Sequence, residues 1–163
     1  MTSTEGLLLR DATEADLDEM AEMAGALAQL HHDLDPKRFM LVPDVVRGYR
    51  WWFGKELASK EAILLVAEHD GRIEGYAYGR HEERDWNLLV DRHAALHDIF
   101  VREDARRGGV ASALIERFKA RAKAGGAPRV LLHTATSNTR AQAAFARAGF
   151  RPTMIEMTCE LDP

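Results

Sequence analysis

Cysteine is almost missing from this chain: one, Cys159, in 163 residues. A lone cysteine forms no internal disulfide and leaves no spaced set of zinc ligands, so disulfide-stapled and zinc-module folds are excluded. Long hydrophobic runs are missing as well; none approaches the roughly 18 apolar residues of a spanning helix. The first ten residues lack the charged-then-apolar start of a secretory signal, and the expected setting is reducing and cytoplasmic. Proline is sparse, with five in the chain, and no Pro/Gly/Ser linker, repeat or low-complexity tract divides it. One domain spanning 1–163, with a core of about 7–161, is the expectation. Hydrophobic residues at 46% and charged residues at 29% describe an ordinary globule with enough apolar material for a real core.

Charge is the first informative presence. The net value is −4, yet Arg102–Arg151 holds eleven basic residues against three acidic ones, leaving the remainder strongly acidic. A basic segment in an acidic protein points to a local anionic ligand rather than to duplex DNA. A solvated arginine-rich helix face explains the same numbers equally well.

The periodicities give an order of elements. Leu7–Arg10 reads as a strand, Thr13 as a cap, and Leu17, Met20, Met23, Ala24, Leu27 and Leu30 as one helical stripe. His31–Met40 reads as a loop. Val45–Leu57 is a second helix carrying Trp51, Trp52 and Phe53. Ala62–Glu68 and Arg72–Arg80 are strands joined by Asp70-Gly71, a hairpin turn whose two residues tolerate positive φ. In the second strand Ile73, Gly75, Ala77 and Gly79 alternate with Glu74, Tyr76, Tyr78 and Arg80. Further strands are expected at Ala94–Val101, Val130–Thr136 and Thr153–Leu161, with helices at Val110–Ala124 and Thr139–Ala148. The order predicts an α/β fold: a single mixed, mostly antiparallel central sheet flanked by helices on both faces.

The sharpest local signal is Arg106-Arg-Gly-Gly-Val-Ala111, a turn between a strand and a long helix. Small residues let main-chain N–H groups converge on a concavity, and the helix start adds positive partial charge. Neither the nucleoside-triphosphate loop spacing nor the dinucleotide glycine pattern is present. By itself, a Gly-Gly turn is more often a plain connection.

The run Asp98-Ile-Phe-Val-Arg-Glu-Asp-Ala-Arg-Arg-Gly-Gly-Val-Ala-Ser resembles motif A of the GNAT N-acetyltransferases, with Arg106-x-x-Gly109-x-Ala111 as its signature. Asn138 to Phe150, ending in Gly149-Phe150, is similar to motif B. The resemblance implies an acyl-CoA site for acetyl-CoA as cosubstrate, with no metal. It implies that the backbone of Ile99, Phe100 and Val101 pairs with the pantetheine arm. Arg106, Arg107, Gly108, Gly109, Val110, Ala111 and Ser112 would hold the pyrophosphate, and Asn138 and Phe145 would line the cofactor. It also implies that the strands at 94–101 and 130–136 splay apart to admit the thioester.

Acetylation of an amine needs a base, an oxyanion donor and a leaving thiolate. His97 is the first choice of base, at a position where some relatives carry glutamate; its unperturbed pKa of about 6.5 suits the task. Asp98 is adjacent, but strict alternation sends it to the other face unless a bulge intervenes. Glu82 is the next catalytic candidate, then Glu83 and His133. The motif B tyrosine that relatives use toward the leaving thiolate is Phe145 here, so Tyr76, Tyr78 or water would have to replace it. Cys159 reads as structural, and His31-His32 with Asp33 and Asp35 as a loop rather than a metal site. Acidic and aromatic residues in the acceptor segments (Asp33, Asp35, Trp51, Trp52, Phe53, Glu82, Glu83, Asp85 and Trp86) favour a cationic small molecule or a peptide amine. Relatives are often dimers, and exposed tryptophans permit one. A non-catalytic acyl-CoA-binding module is the competing expectation, motivated by Phe145.

Overall fold

The computed structural model describes residues 4–161. Five strands form one sheet in the order β1 (Leu8–Asp11), β2 (Ala62–His69), β3 (Arg72–Glu82), β4 (His93–Val101), β5 (Val130–Leu132). The first four pair antiparallel, and β5 lies parallel to β4. Helices α1 (Leu17–Leu34) and α2 (Val45–Leu57) cover one face, while α3 (Val110–Ala124) covers the other; α4 (Thr139–Arg147) follows β5. No helix among the described residues is long and apolar enough to cross a membrane.

Each face has its own apolar layer. Leu17, Met20, Met23 and Phe53 pack on Leu64, Val66, Tyr76 and Tyr78. On the other side Val110, Leu114, Phe118 and Ala122 pack on Ile63, Leu65, Ala77 and Leu96. The small residues of β3 make that second layer possible. A Cβ on Gly79 would lie 2.1 Å from the Ala95 carbonyl and 2.5 Å from Cζ of Phe118. Glycine therefore lets the Phe118 ring lie directly on the sheet. The hairpin turn is as the sequence predicts, with Asp70 at φ 50° and Gly71 at φ 77°.

Two β-bulges change the facing expected from alternation. In β3 the register passes from Ala67↔Gly75 to Glu68↔Ile73, so Glu74 is the extra residue. Ile73 consequently joins the layer of Tyr76 and Tyr78 and not that of Ala77, which corrects the alternation read from sequence. In β4 the register passes from Tyr78↔Asp98 to Gly79↔Leu96, leaving His97 extra.

Other differences are local. Helix α1 runs through His31 and His32 to Leu34, where a loop is expected. Both imidazoles bond main-chain carbonyls, His31 Nδ1 to Leu27 at 2.9 Å and His32 Nδ1 to Phe39 at 2.8 Å. These contacts help finish the helix at its negative end. Thr13 begins not α1 itself but a single 3₁₀ turn, Glu14–Asp16. The Asp16 carboxylate receives the Thr13 amide at 2.7 Å and the Arg10 guanidinium at 2.7 and 2.9 Å. Strand β5 stops at Leu132, short of Thr136. The expected strand Thr153–Leu161 does not form: residues 151–160 have no regular secondary structure and are exposed.

Candidate acyl-CoA and acceptor site

The turn before α3 has the geometry of an anion cradle. Arg107 has φ +72°, and Gly109, which caps the helix, has φ +81° and ψ +1°. Left-handed residues alternating with right-handed ones fold successive amides toward one point. The first α3 amide with an acceptor outside the helix is that of Ala113, which donates to the Gly109 carbonyl at 2.9 Å. Those of Val110, Ala111 and Ser112 have no carbonyl of their own helix within reach. The first turn of α3 carries no acidic residue, and Arg107 and Ser112 are exposed beside it. Arg106 is half-buried: its Nε donates to the Val101 carbonyl at 3.0 Å and its guanidinium lies 5.5 Å above the Phe100 ring. Its fixed charge therefore belongs to the junction of strand and turn. Gly108 and Val110 are buried beneath the turn.

The slot between β4 and β5 is also visible. The two strands pair only over Ala94–Leu96 and Val130–Leu132, so His97–Val101 has no neighbour on that side. The Arg102 amide turns toward β3, bonding the Glu74 carbonyl at 2.9 Å, while the Val101 carbonyl turns away to Arg106. Alternation then directs the amide and carbonyl of Ile99 to the open side as well. An extended chain bearing amides can add there as a strand does. Across the slot Asn138 caps α4, its Oδ1 accepting the Ala141 amide at 3.2 Å. Phe145 packs half-buried against the α3 layer and meets Phe150 edge-on at 5.9 Å.

The bulge at His97 decides the chemistry on the other face. Leu96 and Ile99 both join the α3 layer although three positions apart, so His97 and Asp98 together face α1 and α2. The expectation that Asp98 points away from His97 is thereby corrected. His97 lies on the Tyr78 ring, centroids 5.5 Å apart, and its Nε2 is 3.3 Å from Glu82 Oε1. Asp98 accepts from the Tyr76 hydroxyl at 3.3 Å. Burial pushes the Asp98 carboxyl above the usual carboxylate range, against the opposing pull of His97, Tyr76 and His31. Tyr49 is pushed up to about 12 by burial and by the Asp98 charge.

The tyrosines considered as replacement acids are already engaged. Tyr78 donates to Glu56 at 2.8 Å while receiving Trp52 Nε1 at 3.2 Å, and Tyr76 donates to Asp98. Burial raises both hydroxyls above their ordinary range.

The expected acceptor residues separate. Phe53 is core, Trp52 is half-buried on Tyr78, and Trp51 is 65% exposed. Asp35 and Asp85 hold their own turns, Asp33 bonds Gln29, and Glu83, Trp86 and Cys159 are exposed. His133 lies just past β5. Glu56, buried and 3.2 Å from the Arg80 guanidinium, went unnoticed in the sequence. Its signal was available: Tyr49, Phe53 and Glu56 fall at one helical stripe, a charge in a core position.

Comparison with known proteins agrees with this geometry. The model of the Acetyltransferase (GNAT) family matches residues 26–150. Uncharacterized N-acetyltransferases of Mycobacterium bovis and Mycobacterium tuberculosis are 33% identical over 102 residues. That match covers 61% of this chain and 59% of each relative, so it spans less than two thirds of their length. Among solved structures, a mutant Bacillus halodurans protein superposes with a TM-score of 0.82 at 20% identity, over 94% of this chain and 99% of that one. An aminoglycoside N-acetyltransferase in complex with CoA gives 0.73 at 19% identity, over 96% and 95%. These likenesses show a shared fold.

Proposed function

The chain belongs to the GNAT acetyltransferase family, and on that premise we propose that it moves an acetyl group from acetyl-CoA to the primary amine of a small cationic acceptor, by direct attack in a ternary complex. The observation that carries the reading is the bulge at His97. It sets an imidazole and two carboxylates on one side of β4, beside the stretch whose opposite edge is left open by β5.

The residues present fit coenzyme A. The amides of Val110, Ala111 and Ser112, with Arg107 beside them, suit the pyrophosphate; the Ile99 and Val101 backbone suits the pantetheine amides; Asn138 and Phe145 suit the far wall of the slot. Acetyl-CoA supplies an activated thioester whose thiol, with a pKa of about 8.5, leaves without an obligatory acid.

The chain's own residues do the rest. His97 takes a proton from the acceptor ammonium, and Glu82, 3.3 Å away, fixes the ring and stabilises the imidazolium that results. Asp98 holds the cationic acceptor from the same face, with Tyr76 orienting its carboxylate. An outward amide of Ile99 or Val101 donates to the oxygen that gains charge as the nitrogen attacks. Trp52, Tyr78 and exposed Trp51 give a cation an aromatic wall. The aminoglycoside acetyltransferase likeness makes amino sugars the first acceptors to try.

The test is thiol release from acetyl-CoA over a panel of polyamines, aminoglycosides and basic peptides. His97→Ala is expected to lower kcat by about 100-fold or more, with CoA affinity unchanged. Glu82→Gln is expected to lower kcat about tenfold and shift the pH profile. Tight CoA binding with no thiol release from any amine would instead support the non-catalytic binding module.

A further inference from the structure

Residues 151–160 are an anomaly in a folded chain. They lie in a loose stretch, yet Met154, Ile155, Met157 and Leu161 are 75, 80, 89 and 92% exposed. The sequence itself alternates, with Ile155, Met157, Cys159 and Leu161 on one side and Glu156, Thr158 and Glu160 on the other. That is the pattern of a strand half-buried on a sheet. Four large apolar groups in water are what a chain leaves at a surface meant to be covered.

The same molecule holds the complement. β5 is an outer strand, so one whole edge of Val130–Leu132 keeps its main-chain donors and acceptors unpaired. All three of its residues are only half-buried, and α4 beside it buries none of its residues. Charge points the same way. Residues 129–151 contain four arginines and a histidine and no acid; residues 152–163 contain three acids and no base. An acidic strand and a basic edge adjoin in the sequence but are not paired in the fold. Glu156 is instead forked onto the Arg38 guanidinium, beyond the end of α1, with Nη2 to Oε2 at 2.9 Å.

We propose that residues 153–161 of one copy add as a strand to the free edge of β5 in a second copy, and reciprocally. The exchange is self-complementary, so it closes as a two-fold dimer and does not propagate. It covers the Ile155, Met157, Cys159 and Leu161 row and sets Glu156 and Glu160 among the partner's arginines. It also braces β5, one wall of the slot beside β4, with a strand from the other subunit. This assembly stands apart from the reaction proposed above and survives if no amine is acetylated.

Sedimentation of the whole protein at tens of micromolar is expected to give a dimer. Met157→Pro, which removes a strand donor, and Ile155→Glu, which keeps it, are each expected to give a monomer with an unchanged circular dichroism spectrum. Trp51→Ala is expected to leave the dimer intact. Amide protection over 153–160, and protection of Cys159 from a thiol reagent, should rise with protein concentration in step with the dimer fraction. A wild-type monomer would overturn the proposal. So would a dimer that survives both tail variants or is lost in Trp51→Ala, because its interface then lies elsewhere. Protection of 153–160 that is independent of concentration would mean that each tail covers its own β5, which equally refutes exchange.

Discussion

Replacing Gly109 separates a cradle built by backbone conformation from an ordinary loop. Gly109 sits at φ +81° and ψ +1°, where an added Cβ would meet only Cγ2 of Thr4, at 3.3 Å. Crowding is therefore secondary, since one methyl can give by a few tenths of an ångström. The dominant effect is the left-handed conformation, worth about 1–2 kcal/mol for a non-glycine residue. Gly109→Ala has two outlets for that strain. If the turn keeps its shape, stability falls by about 1 kcal/mol and CoA affinity holds. If the turn relaxes, the amides of α3 lose their common focus, and about 1.4 kcal/mol becomes a tenfold weaker Kd. The two losses together should come to about 1–2 kcal/mol, and Gly109→Val, β-branched, should exceed it. Urea unfolding of the ligand-free protein reads the first term, and calorimetric titration with CoA reads the second. Gly126 is the control: it has φ +86° with nothing within 4 Å of a Cβ, at the other end of α3. Gly126→Ala should cost similar stability and leave CoA binding alone. Unchanged stability and unchanged affinity in Gly109→Val would refute the cradle, as would equal loss of affinity in the Gly126 variant.

Two titration predictions follow from the geometry. Asp16 is held at about 2, below the usual 3.8, chiefly by the Arg10 guanidinium and further by Thr13. A depressed carboxylate stabilises the fold above its unfolded pKa and loses that contribution as pH falls from about 4 toward 2. Asp16→Asn should therefore cost about 2 kcal/mol at pH 7 by chemical denaturation, with the difference from wild type vanishing in acid. Asp98 has the opposite sign: burial raises its pKa, so its contribution to stability falls as pH rises through the window above the ordinary carboxylate value. Asp98→Asn should raise the thermal midpoint at pH 7, converge with wild type in acid, and weaken KM for a cationic acceptor while leaving CoA affinity unchanged. A lower midpoint at pH 7 would show that the carboxylate is a net stabilising partner.

Much of this protein was legible in its sequence because the signals are local. The helix Val110–Ala124, the helix Val45–Leu57 and the Asp70-Gly71 hairpin follow from periodicity and from residues that tolerate positive φ. The anion turn followed from Gly109 and Ala111 at a helix start, and the family from two motifs in order. Arg106 shows the boundary of such reading. Its position was given by the motif, but its bond to the Val101 carbonyl and its stacking on Phe100 needed the strand and turn to be folded together.

What tertiary structure decided were properties belonging to two strands at once. A bulge is a mismatch between a strand and its neighbour, so no pattern within 93–101 alone could place His97 and Asp98 on one face, or move Ile73 away from Ala77. The burial of Glu56 under Tyr78 and Arg80 arises the same way, from a helix docking on a sheet. The segment 153–161 shows the converse: its alternation specifies a strand, but a strand exists only where an edge accepts it. Within one copy the chain leaves that edge and that segment apart. Propensity fixes which conformations a segment can hold; pairing and packing fix which side chains meet.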